Sequence, residues 1–69
     1  MSDLVFEVNG RTMSLPQGAT VADLLSSLKL GPTGVAIAVN QAVIPSSQRS
    51  RTRIQSADRV EIIQAVGGG

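Results

Sequence analysis

Apolar and polar positions alternate in short blocks along the chain, and each block carries the signature of one element. Leu4-Val5-Phe6-Glu7-Val8 is rich in strand formers and runs straight into Asn9-Gly10, the pair that best tolerates positive φ at both centres of a type I′ turn. A hairpin is predicted there. Arg11-Thr12-Met13-Ser14-Leu15 alternates polar and apolar, putting Met13 and Leu15 on one face until Pro16-Gln17-Gly18 breaks the ladder. Val21, Leu24, Leu25 and Leu28 then fall at i, i+3, i+4 and i+7, the stripe of an amphipathic helix. Thr20 reads as its N-cap, with Asp23 three residues on completing a capping box and suiting the positive end of the helix dipole. Lys29 in the last turn, Gly31 just past it and Pro32 read as the stop, so the helix is placed at about residues 21 to 30.

Beyond Gly34, Val35-Ala36-Ile37-Ala38-Val39 is apolar at every position, which predicts a strand covered on both faces or flanked by close neighbours. Asn40-Gln41 reads as a turn and Val43-Ile44 as a short strand stopped by Pro45. Residues 46–55 are polar and weakly patterned, which predicts a loop with a turn of 3₁₀ helix. Ala57-Asp58 suggests a further turn. In the last strand, Val60 and Ile62 share one face while Glu61 and Ile63 share the other. The expected core is Phe6, Val8, Met13, Leu15, Val21, Leu24, Leu25, Leu28, Ile37, Val39, Val60 and Ile62.

Hairpin, helix, strand, short strand, loop and final strand in 69 residues predict an α+β fold of the β-grasp type. In it a mixed sheet of four or five strands packs one face on a single helix, with the first and last strands parallel at the centre. Periodicity does not encode strand order, so another small α+β arrangement stays open. The expected division is a β-grasp domain over residues 1–66 and a flexible glycine tail over 67–69.

Composition removes whole classes of chemistry. There is no Cys and no His, which excludes disulfides, thiolate metal sites, side-chain thiol chemistry and the usual neutral-pH acid–base group. Asp58 and Glu61 read as turn and surface residues, because paired-carboxylate catalysis needs a pocket that so small a domain does not build. A formal charge of +1 and a single aromatic residue give no pull toward nucleic acid. No apolar run approaches a membrane span, and Asp3 and Glu7 interrupt the start of the chain where a signal peptide needs a basic and then a long apolar run. A soluble cytoplasmic protein is expected, monomeric when free and without a cofactor of its own.

The candidate chemistry lies in Gly67-Gly68-Gly69. Glycine alone allows close approach and φ of either sign, so such an end is thin enough to enter a catalytic centre in another protein, with a reach of about 10 Å when extended. A carboxylate is a poor electrophile at neutral pH, and its use in acyl chemistry requires activation by an external leaving group. A plain Gly-rich end also reads as a simple tail. Ile63 is expected to point away from the helix and, with Val66, to form an apolar docking patch. Arg49, Arg51 and Arg53 alternate in the polar loop and read as a solvated basic segment.

The Asn9-Gly10 hairpin, the Gly18-Ala19-Thr20-Val21-Ala22-Asp23-Leu24-Leu25 helix entry, Val35-Ala36-Ile37-Ala38-Val39-Asn40, Asp58-Arg59-Val60-Glu61-Ile62 and the terminal glycines together resemble the ThiS family of thiamine-biosynthesis sulfur carriers. The likeness covers essentially the whole chain. The small subunit of molybdopterin synthase and ubiquitin-like protein modifiers share the fold and the Gly-Gly end and are the alternative readings. Gly67 stands where relatives often carry a side chain. The resemblance implies that an E1-like adenylyltransferase of the ThiF type, using ATP and Mg²⁺, adenylates Gly69. A sulfur donor protein then displaces AMP to leave a thiocarboxylate, and thiazole synthase of the ThiG type takes the sulfur. The chain itself would be a carrier and co-substrate, not an enzyme.

Overall fold

The computed structural model describes residues 3–31 and 33–64. Strand β1 (Leu4–Val8) turns through Asn9 and Gly10, whose φ of 51° and 82° suit a type I′ turn, into β2 (Arg11–Leu15). The register runs from Val8 opposite Arg11 to Leu4 opposite Leu15. Helix α1 (Val21–Ser27) follows, then β3 (Val35–Val39), β4 (Ala42–Val43), a 3₁₀ turn over Ser46–Gln48 and β5 (Arg59–Gln64). The five strands form one mixed sheet in the order β2-β1-β5-β3-β4. The first and last strands lie side by side and parallel, with Glu7 opposite Arg59 and Val8 opposite Val60, as the β-grasp expectation requires.

Period-2 alternation decides which face is dry. Leu4, Phe6 and Val8 of β1, Ile37 of β3, and Val60 and Ile62 of β5 are buried together with Val21, Leu24 and Leu25 of the helix. Each full burial of a large aliphatic or aromatic side chain here stabilises the fold by about 1.5–3 kcal/mol. Leu4, Ala19 and Ile54 join this core beyond the sequence expectation. Met13, Leu15, Leu28 and Val39 are only partly buried, because β2 is an edge strand and Leu28 sits at the helix end.

Thr20 caps the helix as expected. Its Oγ1 accepts from the Asp23 amide at 3.2 Å, and the Asp23 carboxylate accepts from the Thr20 amide at 2.9 Å. The far end differs from expectation: the helix stops at Ser27, and the left-handed residue that ends it is Lys29, with φ 59°, and not Gly31. The Lys29 amide bonds to the Ser26 carbonyl and the Leu30 amide to the Leu25 carbonyl, the two bonds of a Schellman motif. Leu30 then packs on the core. Pro32 lies outside the described residues.

Strand β3 is not covered on both faces. Ile37 is buried, but Ala36 is exposed and Ala38 half-buried on the side away from the helix. The apolar run therefore reports an apolar outer surface, not a second covering layer. The short strand is Ala42–Val43, one residue earlier than expected, reached through Asn40 and Gln41 with φ of 51° and 72°.

The loop after β4 is more ordered by contacts than its polar sequence suggests. Ile54 is buried, and its amide bonds to the Ala19 carbonyl at 2.9 Å. The carbonyls of Arg49 and Thr52 accept from the Ala22 and Val21 amides, tying the loop to the first turn of the helix. Arg49 is buried and donates through Nη2 to the Val35 carbonyl at the start of β3. The solvated basic segment thus divides: Arg51 and Arg53 are exposed, whereas Arg49 turns inward.

Candidate functional site

The site is organised around β5, the strand that leads to the glycines. On its inner side Val60 and Ile62 are buried under the helix, which fixes the strand's rotation and forces Glu61 and Ile63 outward. Ile63 is 66 % exposed, as its position in the alternation requires. It stands opposite Ala36 in the antiparallel ladder, and Ala38 stands between Glu61 on one side and Val43 on the other. Val43 is 73 % exposed. Ile63, Ala36, Ala38 and Val43 therefore make one apolar strip across three strands on the open face of the sheet, rimmed by Glu61.

Two asparagines hold β5 along its length. Asn9 Nδ2 donates to the Ile62 carbonyl at 3.1 Å, and the Ile62 amide donates to Asn9 Oδ1 at 2.9 Å. The side chain thus continues the parallel ladder past the point where β1 turns away. At the other end the Arg59 amide donates to Asn40 Oδ1 at 3.0 Å, and Asn40 Nδ2 donates to Asp58 at 2.9 Å. Asp58 also accepts from the Gln55 amide at 2.8 Å, closing the turn that starts the strand, where Ala57 takes φ 72°. Left-handed backbone at Asn9 and Asn40 is what aims both side chains at β5.

Of the residues singled out from sequence, Ile63 is placed on the outer face, while Val66, Gly67, Gly68 and Gly69 lie outside the described residues. Sequence reading missed Ala36, Ala38 and Val43 as companions of Ile63. The signal was present in the outward positions of β3, which are apolar without being needed for the core. Among the described residues no group of three or more His, Cys, Asp or Glu could hold a metal ion, and no helix is long and apolar enough to cross a membrane. The arrangement can present an apolar face and a strand end to another protein.

Comparison with known proteins gives the same picture from another direction. A family model described as the ThiS family matches residues 3–69. The chain is 33 % identical over 61 residues to the sulfur carrier protein ThiS of Escherichia coli, covering 88 % of this chain and 92 % of that protein. It is 31 % identical over 62 residues to a thiazole synthase of Magnetococcus marinus, a match that takes in 90 % of this chain but 19 % of that protein. The crystal structure of a thiamine biosynthesis protein (ThiS) from Geobacter metallireducens superposes with a TM-score of 0.75 at 30 % identity, covering 96 % of this chain and all of that one.

Proposed function

This chain belongs to the ThiS family, and we propose that the group on which it carries sulfur is the carboxylate of Gly69. Its role is that of a sulfur carrier in thiamine biosynthesis. The observation that carries the assignment of the residue is that the family match runs through Gly69, on a domain whose last strand is clamped on both sides and leads directly into residues 65–69.

The chemistry follows from the carboxylate itself. A carboxylate oxygen attacks the α-phosphorus of ATP in an E1-like adenylyltransferase, pyrophosphate leaves with Mg²⁺, and the terminus becomes an acyl-adenylate. Sulfide delivered by a donor protein adds through sulfur to the activated carbonyl, the bond from that carbon to the AMP oxygen breaks, AMP leaves, and the S–H proton is lost. The product is a Gly69 thiocarboxylate, whose sulfur thiazole synthase takes up. In this cycle ATP and Mg²⁺ belong to the activating enzyme, and the carrier contributes the terminal acyl group and a surface that is recognised. Gly67 and Gly68 form the narrow stem that enters each partner's active site. The apolar strip around Ile63 is where those partners dock.

The second partner has separate support. A protein named thiazole synthase contains a stretch similar to nearly this whole domain within a much longer chain, so the two kinds of domain occur joined in one polypeptide. Joined domains share an effective concentration far above that of separate ones, which suits a donor and its acceptor.

Intact-mass spectrometry tests the reading. Incubated with its adenylyltransferase, ATP and a sulfur source, the chain gains about 16 Da as one oxygen becomes sulfur, and fragmentation places the gain at Gly69. An unchanged mass, or a gain at any other residue, rejects it.

A further inference from the structure

The open face of the sheet is not the only surface built to receive a protein. Strand β2 forms one edge of the sheet, and its register shows which backbone groups it leaves unused. In a two-residue hairpin the pair beside the turn exchanges both hydrogen bonds, and alternate pairs do so thereafter. Val8 with Arg11, Phe6 with Met13 and Leu4 with Leu15 are therefore the bonded pairs. The N–H and C=O groups of Thr12 and Ser14 point outward along the edge, and no backbone bond among the described residues reaches them.

A groove of about 820 Å³ adjoins this edge on the helix side. Its apolar lining comes from Val8 and Met13 of the hairpin, Leu28 and Leu30 at the helix end, and Ile62 of β5. Arg11 stands at its rim, on the same face as Met13 because the two are separated by two positions in the strand. None of the five acidic residues lines it. Glu7 and Glu61 belong to the opposite sheet face, Asp23 caps the start of the helix, Asp58 closes the turn before β5, and Asp3 precedes β1. An unused ladder edge, an apolar trough beside it and a cation with no Asp or Glu side chain lining the same groove define the occupant.

We infer that β2 and this groove bind an extended acidic–apolar segment of a partner protein, added to the sheet as a sixth strand. Main-chain bonds form to Thr12 and Ser14, alternate apolar side chains enter the groove beside Met13, Leu28 and Leu30, and a carboxylate meets Arg11. The two alternatives fit less well. A second copy pairing β2 with β2 would bring Arg11 no carboxylate from the strand, and a basic segment would meet Arg11 with like charge. The site lies on the helix side of the sheet, whereas the strip around Ile63 faces the other way.

The inference does not rest on sulfur as the cargo, and binding alone tests it. The probe is an acetylated and amidated peptide, Asp-Thr-Ile-Thr-Ile-Thr-Asp, which presents acid, apolar, apolar and acid on one face in either direction. Titrated into the full ¹⁵N-labelled chain, it moves the amides of Thr12, Ser14, Leu28 and Leu30, with half-saturation on the order of 1 mM or below. A version with Lys for Asp binds at least about fivefold more weakly, and in Arg11→Gln, whose spectrum is otherwise unchanged, the two peptides bind alike. No shift at these amides up to about 5 mM, shifts centred on Ile63 and Val43, or equal binding of both peptides to the unsubstituted chain each overturns the inference. Sulfur transfer to Gly69 would stand or fall separately, by mass.

Discussion

The Asn9 side chain bonds both the amide and the carbonyl of Ile62, 53 residues away in sequence, and so takes the place of a strand residue where β1 has already turned. Replacing it by Ala removes both bonds and puts a Cβ-bearing residue without a compensating side chain at φ 51°. Two part-buried bonds at about 0.5–1.5 kcal/mol each and a left-handed residue at about 1 kcal/mol predict a loss of about 2–4 kcal/mol. Asn9→Gly removes the bonds but relieves the backbone, and costs about 1–2 kcal/mol. Urea melts that rank Gly as the worse replacement would reject the backbone strain, and a loss below about 0.5 kcal/mol in both variants would reject the clamp.

Lys29 ends the helix in a left-handed conformation that glycine adopts without strain. Lys29→Gly is expected to stabilise the protein by about 0.5–1 kcal/mol, raising Tm by several degrees in a domain of this size. Gly31 has no positive φ and nothing within 4 Å of a modest side chain, so Gly31→Ala causes no loss. The opposite ranking in thermal melts would return the stop signal to Gly31.

Most of the elements were legible because their signals are local. Asn9-Gly10 and the alternation beside it gave both strands to the residue, and Thr20 with Asp23 gave the helix start. Sheet order came from the number and sequence of elements, since no periodicity specifies that β1 lies between β2 and β5. What stayed hidden depends on long-range contacts. Ile54 sits in a polar stretch with no repeat, and only its amide bond to Ala19 and its burial show that the loop folds over the helix. Arg49 reads like Arg51 and Arg53 because charge type alone does not show which of three alternating cations turns inward. The β3 run misled for the opposite reason. Apolar residues at both parities predict two covered faces, yet here the outward set forms the exposed strip with Ile63 and Val43.

Arg49→Ala removes a buried side chain together with its bond to the Val35 carbonyl, and loosens the loop that holds the helix start. A destabilisation of about 1–3 kcal/mol is expected by chemical denaturation, whereas Arg51→Ala and Arg53→Ala stay within about 0.5 kcal/mol. Equal effects at all three positions would mean that Arg49 is not a structural residue.

Deleting Gly69 moves the reactive carboxylate back by one residue, about 3.5 Å. Misplacement on that scale costs at least about 100-fold in a positioned reaction. Thiocarboxylate formation by the activating enzyme should therefore fall by that factor or more, while the denaturation midpoint is unchanged. A deletion variant that still gains sulfur at near-normal rate would reject Gly69 as the site.

Ile63 separates docking from chemistry. Its side chain is two-thirds exposed on the face opposite the core, so Ile63→Ser removes no buried contact and should alter stability by no more than about 0.5 kcal/mol. If the strip it forms with Ala36, Ala38 and Val43 is where the partners bind, the same substitution raises KM for the carrier by about tenfold, as expected for an apolar residue at the centre of an interface. Once bound, the terminus reaches the same active site, so kcat holds. That pattern is the reverse of the Gly69 deletion, in which the docking face is intact and kcat collapses. Single-turnover assays on both variants separate the two effects, and an Ile63→Ser chain with unchanged KM toward both the adenylyltransferase and thiazole synthase would remove the strip from the docking surface.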